Sequence, residues 1–242
     1  TYTGQTTITT GTLVVSKMAN YSADSSIGWG TSGTSIAMGS NSSLVYTGTA
    51  ISNTDRQIDF TPSGTSAAQS PSILNNGTGA LNFTASTFNT GTVTNNNRGL
   101  ILGGTNGGTI SGAMVFTGAN TSQGFWSLAK NGSGTWTLAG ANTNSGETAL
   151  NAGTLRLDYN ASNTSKLSNV ATVGFLRLNG GTLELYGGSH DETVLGTTLN
   201  NGTTFIKRTN APSPAPASSS TLQMGVITYS GGALDFSVAG IA

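Results

Sequence analysis

The chain has no cysteine and a single histidine, His190, among 242 residues. Disulfides and thiolate metal sites are thereby excluded, and imidazole chemistry is confined to one position. Charge is nearly as scarce: Lys and Arg number 9 and Asp and Glu 9, together 7% of the chain, with a formal net charge of zero. Ordinary soluble domains carry about 25% charged residues. No basic run exists, so nucleic acid and anionic membrane, which both require clustered Lys or Arg, are excluded as partners. Apolar residues reach only 35%, and no apolar run approaches the roughly 20 residues of a membrane helix. Membrane insertion is therefore not expected. Helical periodicity is missing too, because Gly, Thr, Ser and Asn interrupt every segment. The lack of cysteine is compatible with an exported bacterial protein.

What is present is a motif used twice. Residues 1–15 recur as residues 143–157 without a gap, an offset of 142 from Thr1 to Thr143. The copies share Thr6/Thr148, Gly11/Gly153, Thr12/Thr154 and Leu13/Leu155, with Ile8/Leu150 and Val15/Leu157 as apolar equivalents. A reused, glycine-punctuated segment indicates a stacked architecture rather than a globular enzyme. Because Thr1 already falls inside the motif, the chain is expected to be a window of a longer protein.

A shorter unit recurs throughout: apolar–polar–apolar, as in Ile58-Asp59-Phe60, Leu81-Asn82-Phe83, Leu155-Arg156-Leu157, Leu183-Glu184-Leu185, Leu222-Gln223-Met224 and Leu234-Asp235-Phe236. Side chains alternate faces along a strand, so the outer pair points inward and the middle residue outward. The pairs Leu13/Val15, Leu81/Phe83, Leu155/Leu157, Leu183/Leu185 and Leu222/Met224 are expected to be buried, with Arg156 and Glu184 exposed. Glycine commonly precedes the unit, as at Gly134, Gly153 and Gly181, and supplies the corner that feeds the strand. A hairpin sandwich would also give many short strands. Asn-Gly turns joining two strands are nearly absent, with Asn201-Gly202 one candidate, which favours an all-β solenoid. The expected organisation is one continuous solenoid segment over 1–242, with protruding loops near 62–72 and 210–220, both rich in proline and serine.

The stretch from Leu128 to Leu155, with Lys130, Gly132, Gly134-Thr135-Trp136-Thr137-Leu138, Asn142-Thr143, Gly146 and Gly153-Thr154-Leu155, resembles the autotransporter-associated β-strand repeat (passenger-associated transport repeat). Residues 1–15 match the second half of that repeat. Trp136 stands where Leu is usual, and Asn144 where Tyr is usual. The resemblance implies an exported, right-handed parallel β-helix at or beyond the bacterial cell surface, in repeats with no assigned catalysis.

Candidate sites weigh toward structure. His190-Asp191-Glu192 is the one place where an imidazole adjoins carboxylates, and it reads as a solvated loop after Gly187-Gly188. Asp55-Arg56 with Asp59 reads as a structural ion pair at a corner. Glu147, Glu184 and Asp235 each read as a lone outward residue, whereas a glycosidase needs two carboxyls about 5–10 Å apart. The glycine run from Gly103 to Gly108 lacks the lysine and helix of a phosphate loop and reads as a turn. Among the aromatics, Trp126 and Trp136 read as core and Phe125 as more exposed. Trp29 stays open between core filling and sugar stacking. No catalytic, cofactor-binding or metal-binding residue is assigned, and no cofactor is expected.

The leading reading is a structural segment of an extracellular bacterial fibre, stalk or surface layer, stacking end to end into a rigid rod. Its partners would be further copies of the chain or adjacent repeats. The alternative is an adhesin binding glycans or surfaces through its flank or loops, and the third is a β-helical polysaccharide lyase or hydrolase. The composition leads to two expected outcomes. Chelation by EDTA should leave the melting temperature unchanged, and plant and capsular polysaccharides should not be turned over. A chelator-induced loss of several degrees, or clear turnover, would contradict this.

Overall fold

Short alternating segments bury their apolar face only by stacking, and the computed structural model of the chain shows that they do. It describes residues 2–60, 70–90, 92–93, 98–115, 117–118, 126–212 and 219–238. Among these no helix occurs. One sheet of nine strands runs from Gly11–Val15 through Ser42–Tyr46, Trp126–Lys130, Thr148–Leu150 and Phe175–Leu178 to Val226–Tyr229. A second, of eight, runs from Ser52–Thr54 through Thr135–Leu138, Thr154–Asp158 and Gly181–Tyr186 to Ala233–Val238. A third flank holds the four strands Thr6–Ile8, Ile36–Met38, Ile58–Phe60 and Asn89–Thr90, and, further along the stack, the pair Asp191–Thr193 and Thr221–Gln223. Pairing is parallel on all three flanks. The fold is a parallel β-solenoid, and the sandwich alternative is excluded.

Coil length varies from 19 residues, Thr135 to Thr154, to 31, Leu13 to Leu44. The variation is absorbed outside the strands, so the inward columns stay in register. Leu44, Ile73 and Leu102 follow one another in the first sheet. Trp136, Leu155 and Leu183 do so in the second. Trp136 is fully buried as expected, lies in register with Gly108, and donates its indole N–H to the Gly103 carbonyl at 3.0 Å. A large ring beside a residue without a side chain keeps the rung at core density.

The two copies of the long motif do fold alike, but on different faces. Thr6–Ile8 and Gly11–Val15 lie on the third flank and the first sheet, whereas Thr148–Leu150 and Thr154–Asp158 lie on the first and second. The repeated object is a strand–corner–strand unit that can occupy any pair of adjacent flanks. Asn179-Gly180 and Asn201-Gly202 are corners of the same kind, since the strands they join belong to different sheets.

The expected core pairs Leu81/Phe83, Leu155/Leu157 and Leu183/Leu185 are buried, as is Val15. Leu13, Leu222 and Met224 are only half-buried. Leu13 lies on the outermost rung of its sheet, and Leu222 lies in a flank of only two strands. Of the expected loops, residues 61–69 and 213–218 lie outside the described residues. The range 62–72 overruns its loop, because Ser72 opens the strand Ser72–Asn75. Ser220 is pinned rather than protruding: its hydroxyl donates to the Gly187 carbonyl and accepts from the His190 amide.

Corner glycines answer to close approach. A Cβ on Gly134 would lie 1.8 Å from the Asn106 carbonyl of the preceding coil, and Gly153 adopts φ +66°. On its first coil the second sheet has no strand; residues 18–21 cover the edge of Ser52–Thr54 instead. There the Met18 amide donates to Ser52 Oγ, Thr54 Oγ1 donates to the Ala19 carbonyl, and the Tyr21 amide donates to Asp55. These contacts block one sheet edge against further pairing.

Leu155 sits between Trp136 and Leu183 at zero exposure. Leu155→Ala should lower stability by about 2–5 kcal/mol, read as a shift of the urea midpoint. A loss below about 1 kcal/mol would mean that the columns are not packed as described.

Candidate functional site

Outward columns repeat at the rung spacing of about 4.8 Å, so any charge faces the residue above and below it. Glu184 lies in register with Arg156 on one side and Lys207 on the other. Arg156 Nε donates to Oε2 at 2.8 Å, and Lys207 Nζ lies 3.5 Å from Oε1. The expectation of a lone, exposed Glu184 is therefore corrected. Its side chain keeps 4% exposure because the two cations close over it, and Arg156 is itself half-buried against the Tyr186 ring at 4.9 Å. Burial opposes ionisation of Glu184, but the neighbouring Thr209 hydroxyl, Arg156 and Lys207 outweigh it and hold the carboxyl below its ordinary pKa. Glu147 is not alone either: Arg177 Nη2 donates to it at 2.6 Å. Asp235 is exposed, in register with Phe205.

The motif His190-Asp191-Glu192 is not a solvated loop. Asp191–Thr193 is a strand, and Glu192 points under residues 159–167 at zero exposure. It accepts from Tyr159 OH at 2.7 Å and from the amides of Lys166 at 2.7 Å and Leu167 at 3.2 Å. Burial raises its pKa despite these donors, and burial together with Glu192 raises that of Tyr159. His190 stacks on Tyr159 at 5.3 Å, and its Nε2 lies 3.1 Å from Ser165 Oγ. Lys166 donates to the carbonyls of Ser162 and Thr164, and burial lowers its pKa to about 8. The group staples residues 159–167 onto the flank.

Arg56 is likewise a clamp. Its guanidinium donates to the carbonyls of Ile27, Gly28 and Trp29 at 2.7–2.8 Å, rather than forming the expected ion pair with Asp55 or Asp59. Asp55 instead holds the Tyr21 amide at 2.8 Å, and Asp59 is an outward residue in register with Ala37. Trp29, beside this clamp, is 39% exposed. Phe125 lies outside the described residues, as does the side chain of Trp126.

Two groups had no forecast. Lys130 is fully buried inside a corner, where Nζ donates to the carbonyls of Asn131, Gly132 and Ala152 at 2.8–3.0 Å. Burial lowers its pKa to about 8. A Cβ on Gly153 would lie 2.7 Å from that nitrogen, so Gly153 leaves room for the ammonium. The outside of the same corner carries an asparagine ladder, in which Asn151 donates to Asn131, Asn179 to Asn151 and Asn200 to Asn179. The equal residue type at each step was visible, but without the register the four asparagines could not be aligned.

Chemically, Glu147, Glu184 and Glu192 are each engaged by donors of the protein rather than by another carboxyl. Among the described residues no three His, Asp or Glu side chains are grouped to hold a metal. Open cavities of about 240 Å³, at Ile206 and Phe236, and about 500 Å³, at Tyr2 and Asp24, lie on the outer coils, and neither pairs two carboxylates.

Residues 128–157 match the family model described as passenger-associated-transport-repeat. The chain is also 36% identical over 184 residues to a protein described as the adhesin BmaC autotransporter, from Brucella suis biovar 1 (strain 1330). That alignment covers 73% of this chain and 5% of the relative, so the chain spans a small part of that protein's length. No solved structure gives a significant match.

Because the folded-state pKa of Glu184 lies below the ordinary value of 4.5, its stabilising contribution is complete above that pH and lost as pH falls through the folded pKa. The melting-temperature gap between the wild type and Glu184→Gln should be widest at neutral pH and shrink as the pH falls below 4.5. A gap constant across that range would refute the ion-pair column.

Proposed function

The chain is an autotransporter-associated repeat protein, and on that premise we propose that it is a rigid segment of an exported passenger rod on a bacterial surface. The observation that carries this reading is the unbroken first sheet, nine parallel strands from Gly11–Val15 to Val226–Tyr229. At about 4.8 Å per rung it supports a rod about 40 Å long. The asparagine ladder supports the same reading, because neutral hydrogen bonds along the axis are not screened by salt as ion pairs are. The chain's small share of a much longer relative fits a segment that acts by reach rather than by chemistry. The relative's description as an adhesin favours a second, compatible reading, in which the rod presents adhesive surface to its surroundings. A polysaccharide hydrolase is less favoured, because Glu147, Glu184 and Glu192 are each engaged by donors of the protein.

In this reading the outer rungs join further coils, either from the same chain or from another copy. Val226 at 77% and Ile227 at 51% exposure lie on a strand that, among the described residues, is paired on one side only, and such an edge is a template for strand addition. Multi-angle light scattering of the isolated 242-residue chain should show mass rising with concentration, with short end-to-end rods in electron micrographs. Ile227→Lys should suppress the association without altering the circular dichroism spectrum. A particle that stays monomeric at millimolar concentration would overturn end-to-end stacking.

A further inference from the structure

On the outer face of the first sheet an aromatic ring lies beside an ion pair. Phe175 points outward there, at 38% exposure, in a strand whose inward residues Leu176 and Leu178 are buried. It lies in register with Gly196, and a Cβ on that glycine would sit 3.2 Å from the ring, so the phenyl rests over bare backbone with its remaining surface toward solvent. Two residues along the same face, Arg177 pairs with Glu147 of the neighbouring rung while keeping 47% side-chain exposure, against 29% for Glu147. The next outward position is Asn179, which donates to Asn151 in the ladder.

We propose that Phe175, Glu147, Arg177 and the amides of Asn151 and Asn179 form a binding site for a neutral glycan. A pyranose ring has an apolar C–H face and a hydroxyl rim, and the site offers the complementary pair: an aromatic surface beside a fixed set of donors and acceptors. One Nη2 bond leaves most of the five guanidinium N–H donors free, and Glu147 retains its second oxygen. Arg and Glu held against each other present a donor and an acceptor side by side, which suits adjacent sugar hydroxyls. Their charges cancel, and the residues in register with Arg177 on either side, Ala149 and Thr198, add none. An anionic ligand would have to compete with Glu147 for Arg177, so the complementary ligand is uncharged. The ladder runs along the rod axis from this point, giving an extended glycan a line of amides to follow. This inference goes beyond the rod reading, whose test by association does not depend on it.

Saturation-transfer NMR on the 242-residue chain with cellotetraose and with chitotriose tests the site. At least one of the two should receive saturation at its C–H protons. Phe175→Ala should weaken that signal at least tenfold and Phe175→Tyr should retain it. Arg177→Ala should also weaken binding, whereas Asn82→Ala, on the second sheet, should not. Superimposable thermal melts would show that the Phe175→Ala chain is folded. Absence of transfer to both sugars, wild-type binding by folded Phe175→Ala, or an equal loss in Asn82→Ala would each overturn the proposal.

Discussion

The closeness of one backbone to the next along the stack governs this protein. Rungs about 4.8 Å apart leave no room for a side chain at the corner positions where one backbone crosses close over the next. A Cβ on Gly107 would lie 1.6 Å from the Thr135 carbonyl, and one on Gly134 1.8 Å from that of Asn106. The glycine content is thus a consequence of stacking, more than of turning. The same spacing puts each inward side chain on its counterpart one coil away, so a thin core of Leu, Ile, Phe and Trp columns is continuous although apolar residues make up only 35% of the sequence.

Charge scarcity follows from the same constraint. In a parallel stack every outward position faces its equivalent at the rung spacing, where like charges repel and each added coil repeats the penalty. Where described charges share a column they alternate in sign, as Arg156, Glu184 and Lys207 do, and Glu147 pairs diagonally with Arg177. The cations that do enter the corners, Lys130 and Arg56, donate to backbone carbonyls there. Each converts orphan acceptors into satisfied ones and ties chain segments together. Neutral amides suit the outside better, since a ladder of asparagines can be extended without accumulating charge.

The inward residues were legible because strand alternation is local: Leu155-Arg156-Leu157 states its own faces. The fold class followed from reuse of the motif, although its shift by one flank between residues 6–15 and 148–157 was not legible, because the corner looks the same on every flank. Pairing between coils was the hidden quantity. Glu184 reads as a lone outward acid until Arg156 and Lys207 are brought to either side, and the separations of 28 residues to Arg156 and 23 to Lys207 follow no fixed period. Glu192 misled for a related reason. The segment that buries it, residues 159–167, carries no strand signal and declares itself only by the donors it brings. The outward placement of Phe175 was derivable, since it directly precedes Leu176-Arg177-Leu178, but its perch over Gly196 depends on the register.

A strand–corner–strand unit that fits any two adjacent flanks makes coil length a free variable. Coils of 20 and 31 residues continue the same sheet because the excess is carried in segments clamped from outside, by Arg56 around residues 27–29 and by Glu192 around residues 159–167. Each clamp satisfies backbone groups that would otherwise face the core or the edge unpaired. A rod built this way can vary these segments in length without interrupting its sheets, because they lie between the strands and add only single core residues such as Ile27 and Leu167. Specific recognition can therefore differ from coil to coil while the stack, held by backbone pairing and glycine corners, stays the same.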